Sequence, residues 1–434
     1  MRNLFEQDSS FPIKQFDPYA RNLLKFMKAK KFFSLLKPLV VWSIVLPIAI
    51  ELILHRTLND LPNKFLNHST GPIQRLGQYS KEKVMPSNYI AMLGDSNVYG
   101  FGPWLYDNSW SMEQPDFATH HLLHENLGTD IMAFGYPGYG TLGSCLSMVS
   151  EMEMFDHSWI WSDLEHPKHI LVVFYEGNDL INNLHEIEQR EFNISQPLTE
   201  KSKKDIDQVI LKESEKLRNS WSVFDHSASW NLFSGLIRSY LNKRKPSEEQ
   251  CTAGAQKASM DNKRQKSVEL TITQVEENLA IINGNRVSLG YCEGPALHLN
   301  NDEINLSMEI ARKSLSYLKQ NFSKSKIDLL YLPSSLSIYK FADCVLRPAP
   351  LNIKGETRNN IFDPADASKK NEWLRSEFSS LSNSLGFGFI DTTPFLKDKA
   401  RLHLLHGPRD PIHLNRKGYE FFSEAIIKQL EANL

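Results

Sequence analysis

Residues His169–Tyr175 read HILVVFY, seven positions with no polar break after the first. A strand with one wet face would alternate. A run that is apolar at every position is buried on both faces, the situation of an inner strand in a parallel sheet covered by helices. Four shorter runs, largely apolar, accompany it: Tyr89–Leu93, Asp130–Phe134, Ile327–Leu332 and Gly386–Ile390. Helical stretches separate them, at Ala118–Asn126, Thr141–Phe155, Asp302–Gln320, Ala367–Leu385 and Gly418–Leu430. In the third of these, Ile304, Met308, Ala311, Leu315 and Leu318 fall at helical spacing, and Asp302 reads as the N-cap. Strands alternating with helices predict an α/β fold around a parallel sheet. The polar interval 185–300 breaks the rhythm and reads as one large insertion, partly helical and partly loop.

The chain has 434 residues, which at roughly 150 residues per domain is about three domains or one large domain with insertions. Its 49 Lys and Arg against 51 Asp and Glu give a net charge of −2. That balance provides no basic field, so nucleic acid is not an expected partner. The cluster Lys243–Arg244–Lys245 reads as a solvated turn. The four cysteines, Cys145, Cys251, Cys292 and Cys344, contain no CxxC pair, which argues against a zinc ribbon. Cys251 and Cys292 both lie in the insertion, and a disulfide between them is one open pairing. His120 and His124 have the i,i+4 spacing of a zinc pair but lack an intervening Glu and a third ligand. Neither a dinucleotide fingerprint nor a Walker loop occurs, so no cofactor or metal is expected.

Residues Leu39–Leu54 read LVVWSIVLPIAIELIL, and with Phe32–Lys37 added the apolar region reaches the length of about 20 residues needed to span a bilayer. Arg21, Lys25, Lys28, Lys30, Lys31 and Lys37 precede it. The positive-inside rule then keeps the N-terminus cytoplasmic and sends the rest across the membrane. The charged region is too long, and a small-residue cleavage site is lacking, for a secretory signal peptide. Pro47 and Glu51 count toward the alternatives, a buried core helix or an interfacial one. The predicted organisation is a basic tail over 1–37, an anchor over 38–55, a polar stalk over 56–85 and an extracytoplasmic domain over 86–434.

Chemistry gathers at the ends of the predicted strands. The first ends in Gly94-Asp95-Ser96-Asn97, which delivers a serine to the C-terminal edge of the sheet, where open α/β sheets place their ligands. The second runs into Gly135-Tyr136-Pro137-Gly138-Tyr139-Gly140-Thr141, whose glycines let backbone amides approach an anion. After the third comes Glu176-Gly177-Asn178-Asp179, where Asn178 can donate an N–H into the crevice. Before the last helix stands Asp410-Pro411-Ile412-His413-Leu414-Asn415, a carboxylate three residues ahead of an imidazole. Asp410 can hold His413 by Nδ1–H and leave Nε2 free as a base. Each motif alone is an ordinary turn. Together they supply a nucleophile, a base with its orienting acid, and amide donors for an oxyanion, which is a complete acyl-transfer set. Asn97, Tyr136, Tyr139, Ser334 and Ser335 are candidate substrate contacts around the same edge.

This order of motifs resembles the SGNH (GDSL-like) hydrolase superfamily, over GDSN at 94–97, the Gly138 loop, GND at 177–179 and DPIH at 410–413. The resemblance implies a flavodoxin-like three-layer α/β/α sandwich. It further implies Ser96 as nucleophile, His413 as base, Asp410 as its orienter, and an oxyanion hole from the backbone of Ser96 and Gly138 and the side chain of Asn178. Two positions depart from the family pattern. Asn97 stands where Leu is frequent, and Ala133 where an Asn commonly opens the second block. No GxSxG occurs, which argues against an α/β-hydrolase.

The resulting expectation is a serine esterase, single-pass in the membrane, removing acyl groups (O-acetyl by analogy) from an extracytoplasmic glycan or lipid. Two alternatives use the same scaffold: a polysaccharide O-acetyltransferase, which needs a multi-pass partner to deliver the acyl donor, and a non-catalytic glycan-binding or assembly protein. The position of the DPIH turn further predicts that truncation before residue 410 abolishes activity and need not unfold the sheet.

Overall fold

A computed structural model describes residues 30–66, 69, 71–104, 115–158, 160–161, 163–194, 197–222, 224–242, 278–407 and 410–432. The chain divides into two compact units, Met1–Arg56 and Thr57–Leu434. In the first, helix α1 (Lys30–Thr57) carries the apolar run. Among the described residues one helical stretch, Val41–Asp60, is long and apolar enough to cross a membrane. Val41, Trp42, Val45, Leu46, Ile48, Leu52 and Ile53 all stand exposed along it.

The second unit is α/β. Five strands, β1 (Ile90–Gly94), β2 (Ile131–Gly135), β3 (His169–Tyr175), β6 (Lys326–Leu332) and β9 (Gly388–Asp391), form one sheet in the order β2-β1-β3-β6-β9. Every neighbouring pair is parallel. Strand β3 is the middle strand and is buried from its second residue onward, as its unbroken apolar run requires. The order steps outward from β1 to β2, then reverses to β3. The gap between the ends of β1 and β3 is therefore the switch point, where an open parallel sheet leaves a crevice.

The helices that follow these strands are α2 (Ser96–Tyr99), α3 (Thr119–Leu127), α4 (Thr141–Asp156) and α5 (Asp179–Gln189). The interval read as an insertion holds α6 (Glu200–Arg218), α7 (Ala228–Asn242) and an antiparallel hairpin of β4 (Leu279–Ile282) and β5 (Asn285–Ser288). Residues 243–277 lie outside the described residues, as does Cys251 of the suggested disulfide. Cys292 carries a buried free thiol. Next come α8 (Asn301–Asn321), α9 (Ser335–Ile338), a hairpin of β7 (Leu351–Ile353) and β8 (Glu356–Arg358), and then α10 (Pro364–Leu385), α11 (Thr393–Ala400) and α12 (Arg416–Ala432). Helix α4 packs on α6 and α8, α5 on α8, and α3 on α12.

Two expectations need correction. The N-cap of α8 is Asn300, not Asp302: its Oδ1 accepts the N–H of Glu303 at 2.9 Å, and its own N–H donates to Glu303 Oε2 at 3.0 Å. This reciprocal box satisfies two orphan amides, and Asp302 falls inside the first turn instead. The segment 56–85 is not a stalk. It winds through three short 3₁₀ turns that bury Leu58, Leu66, Ile73 and Leu76. It then closes the open side of β2, an edge strand that would otherwise present unpaired backbone groups. Gln78 accepts the N–H of Ala133 and donates to its carbonyl, both at 2.8 Å. The N–H of Ile131 donates to the Ser80 carbonyl at 2.8 Å. Lys81 is buried nearby and donates to the carbonyls of Leu76, Lys83 and Val84. Burial pushes its ammonium down to about 7.

Candidate active site

Strand β1 ends at Gly94, and Asp95 turns the chain into α2 by accepting the backbone N–H of Asn97 at 2.8 Å. That cap places Ser96 at the first position of the helix, above the switch point. The second half of the site comes from the turn before α12. Asp410 Oδ1 accepts the backbone N–H groups of Ile412 and His413, at 3.2 and 3.1 Å. Its Oδ2 meets His413 Nδ1 at 2.7 Å. With Nδ1–H committed to the carboxylate, Nε2 is the acceptor, and Ser96 Oγ lies 2.8 Å from it. The structure thus brings Ser96 into one relay with Asp410 and His413, 317 positions separating Ser96 from His413.

The surroundings set the charges. Burial works against an imidazolium at His413. The hydrogen bond and charge of Asp410, helped by Asp95 and Glu293, outweigh it and hold His413 above the ordinary imidazole value. Burial likewise opposes ionisation of Asp410, but its bonds to His413 and Ile412 hold it below the usual carboxylate range. Burial raises Asp95. The Phe101 ring packs 5.6 Å from the imidazole, centroid to centroid. Behind the relay, Asn415 closes the loop by donating to the Leu404 carbonyl at 2.9 Å. The hydroxyl of Tyr339 accepts the N–H of Leu405 at 2.7 Å. His406 is buried against Tyr339, and burial pushes it down to about 3, so it stays neutral.

Gly138 sits on the exposed loop after β2 with φ +80°, a conformation that favours glycine. The loop is fastened at its far end. The N–H of Gly140 donates to Glu186 Oε1 at 2.6 Å and that of Leu142 to Asn183 Oδ1 at 3.0 Å, both acceptors on α5. The support that Ala133 cannot give from its side chain comes from outside the strand, through Gln78 and through Arg75, which donates to the Ala133 carbonyl at 3.1 Å. Asn178 caps α5 at the end of β3. Its buried Oδ1 has no partner, and its side chain makes no hydrogen bond among the described residues. An amide so placed and uncommitted is available to a ligand. Its neighbour Asp179 accepts the Tyr175 N–H through Oδ2 at 2.9 Å.

The candidate contacts divide. Tyr139 is 42% exposed and stacks on Tyr136 at 6.0 Å. Tyr136 is buried, with the Arg75 guanidinium 4.4 Å over its ring. Asn97 is buried, and its side-chain amide donates to Asp95 at 3.1 Å. Ser334 and Ser335 are fully buried: Ser334 Oγ donates to Glu176 at 2.6 Å, and Ser335 Oγ to the Glu293 carbonyl at 3.3 Å. His120 and His121 are buried on α3, and burial pushes His121 down to about 4. Among the described residues no group of three or more His, Cys, Asp or Glu is arranged to hold a metal.

Sequence reasoning missed Glu186, Asn183, Glu293, Gln78 and Arg75. Only the first two carried a signal, two polar residues three apart on the helix that begins at GND. No family model matches the chain, and no curated protein matches it.

Proposed function

We propose that the chain is a membrane-anchored serine esterase of the SGNH type, with Ser96 as nucleophile, His413 as base and Asp410 as its orienting acid. The observation that carries this reading is the unbroken relay from Asp410 through His413 to Ser96, at 2.7 and 2.8 Å. The strand order supports a flavodoxin-like sandwich, because that fold uses the same order with its ligand site at the same switch point.

In the proposed reaction His413 Nε2 takes the Ser96 proton as Oγ attacks an ester carbonyl. The oxyanion is received by the amides of Ser96 and Gly138 and the Asn178 side chain. Collapse expels the alcohol, which takes the proton back from His413. Water, deprotonated by the same imidazole, then attacks the acyl-serine and releases the acid. The relay fits any activated acyl group; O-acetyl groups on an extracytoplasmic glycan or lipid are the proposed substrate. In this reading helix α1 is the anchor, and the basic residues ahead of its apolar run favour a cytoplasmic N-terminus with the body on the other side.

The test uses the full chain in detergent with a fluorophosphonate probe and an aryl acetate. Wild type is expected to be labelled and to release acetate, and Ser96→Ala to do neither. A folded wild type that takes no label overturns the esterase reading and leaves a partner-dependent transferase or a binding protein.

A further inference from the structure

The interval that breaks the sheet rhythm ends by sending a carboxylate into the site. Glu293 follows the β4–β5 hairpin. Its backbone is held by the N–H of Leu336 and the hydroxyl of Ser335, both 3.3 Å from its carbonyl. Its side chain lies over the β3 turn. A Cβ placed on Gly177 would come within 2.7 Å of Glu293 Oε2 and 2.6 Å of the Tyr175 ring. Gly177 is therefore bare because Glu293 and Tyr175 occupy the space a side chain would need. Glu293 Oε2 is itself buried and makes no hydrogen bond of good geometry among the described residues; its polar neighbour is the Tyr175 phenol, and a carboxylate oxygen so placed is costly unless nearby charge offsets it.

The positive group that favours the ionised Glu293 is His413. Tyr175 links the two, since its hydroxyl donates to the carbonyl of Ile412, the residue before His413, at 3.0 Å. We propose that Glu293 is a positioning residue of this site, a second carboxylate that stabilises the protonated imidazole of His413 during turnover. This rests on the esterase reading for its role, and on Gly177, Tyr175 and the buried Oε2 for its geometry.

The electrostatics agree in direction. Burial pushes the Glu293 carboxyl up to about 7, while His413 pulls it down. Glu293 in turn adds to the charges that raise His413. The other groups facing Glu293 are Tyr175 on β3, Asp95 after β1, Asp410 beside His413, the neighbouring thiol of Cys292, and Asp179 at the head of α5. His413 also faces the neutral His406. The only cation among these is His413 itself, so it is the group that a charge on Glu293 can favour.

The test compares wild type, Glu293→Gln and Glu293→Asp as full chains in detergent. Neutralising Glu293 removes a charge that favours the imidazolium, so the His413 pKa falls. The acid limb of kcat/KM should then move to lower pH by about half to one unit. The same change should lower kcat about three- to tenfold with KM unmoved. The Asp variant should restore the limb at least halfway. A purely structural role would lower kcat/KM equally at every pH and leave the limb in place, and that result overturns the proposal.

A second measurement needs no turnover. The ring-carbon NMR signal of His413, followed against pH in the wild type, should show a second inflection from the Glu293 carboxyl. A single-step curve overturns the proposal even if Glu293→Gln fails to fold. Failure of the esterase reading shows separately, as a wild type with no serine labelling.

Discussion

At the scale of single residues, Asp410 and Asn178 mark the two extremes of hydrogen-bond commitment at the site. Asp410 uses one oxygen for two backbone amides and the other for His413, so the carboxylate fixes both the turn and the ring. Asn178 is the opposite case, since its side chain makes no hydrogen bond among the described residues. Asn178→Ala should therefore cost little stability, because no hydrogen bond is lost. If the amide meets an oxyanion, it should cost about 2.7–4 kcal/mol in the transition state, or two to three decades in kcat. Steady-state kinetics with an aryl acetate beside a thermal melt checks both halves, and an unchanged kcat removes Asn178 from the oxyanion hole. Residues of this kind were legible in the sequence, since Ser96 and Asn178 follow strand ends, and Asp410 and His413 precede the last helix, at boundaries that composition marks. Glu293 was not, because a lone Glu in a polar interval has no periodicity and no turn partner to distinguish it.

Elements show where local pattern was sufficient and where it was not. The five strands of the sheet lie within two residues of their expected starts and ends. Runs that are apolar on both faces have one stable environment, and their ends coincide with glycine or a polar turn. The segment 56–85 was misread because its apolar residues do not recur at either the helical or the strand period. They are buried one at a time by short turns, and the backbone is satisfied by side chains rather than by a ladder. This element carries its own prediction. Gln78→Ala leaves the buried N–H of Ala133 without a partner, while Arg75 still reaches the carbonyl. The expected loss is about 1–3 kcal/mol of stability. It should appear as a lower urea midpoint with unchanged kcat per folded molecule. A midpoint equal to wild type would show that the edge of β2 does not depend on this contact.

For the molecule as a whole, the C-terminal helix decides the fate of truncations. Tyr419, Phe422, Ile426 and Leu430 of α12 are buried in the same core cluster as Met92, Leu171 and Leu330 of the sheet. The Tyr419 hydroxyl also donates to the Phe101 carbonyl beside the relay. Removing one large buried side chain costs about 3–5 kcal/mol, and whole domains are stable by about 5–15 kcal/mol. A chain ending at residue 409 is thus expected to lose cooperative unfolding altogether, contrary to the expectation that the sheet could survive. Calorimetry of that truncation checks this, and a retained sharp transition would contradict it.

What the amino-acid sequence determined by itself is what depends on neighbours along the chain. That includes the apolar anchor-length run, the alternation of buried strands with helices, and the turn chemistry that leaves Ser96, Asn178 and His413 at element ends. Tertiary structure alone decided the strand order and the switch point beneath Ser96. It also decided the closure of β2 by the 71–80 segment and the arrival of Glu293 over the turn at Gly177, a distant stretch of the chain. The physical reason is range. Periodicity and capping are satisfied within a few residues, whereas a buried carboxylate or an open sheet edge is satisfied by whichever distant segment the fold brings to it.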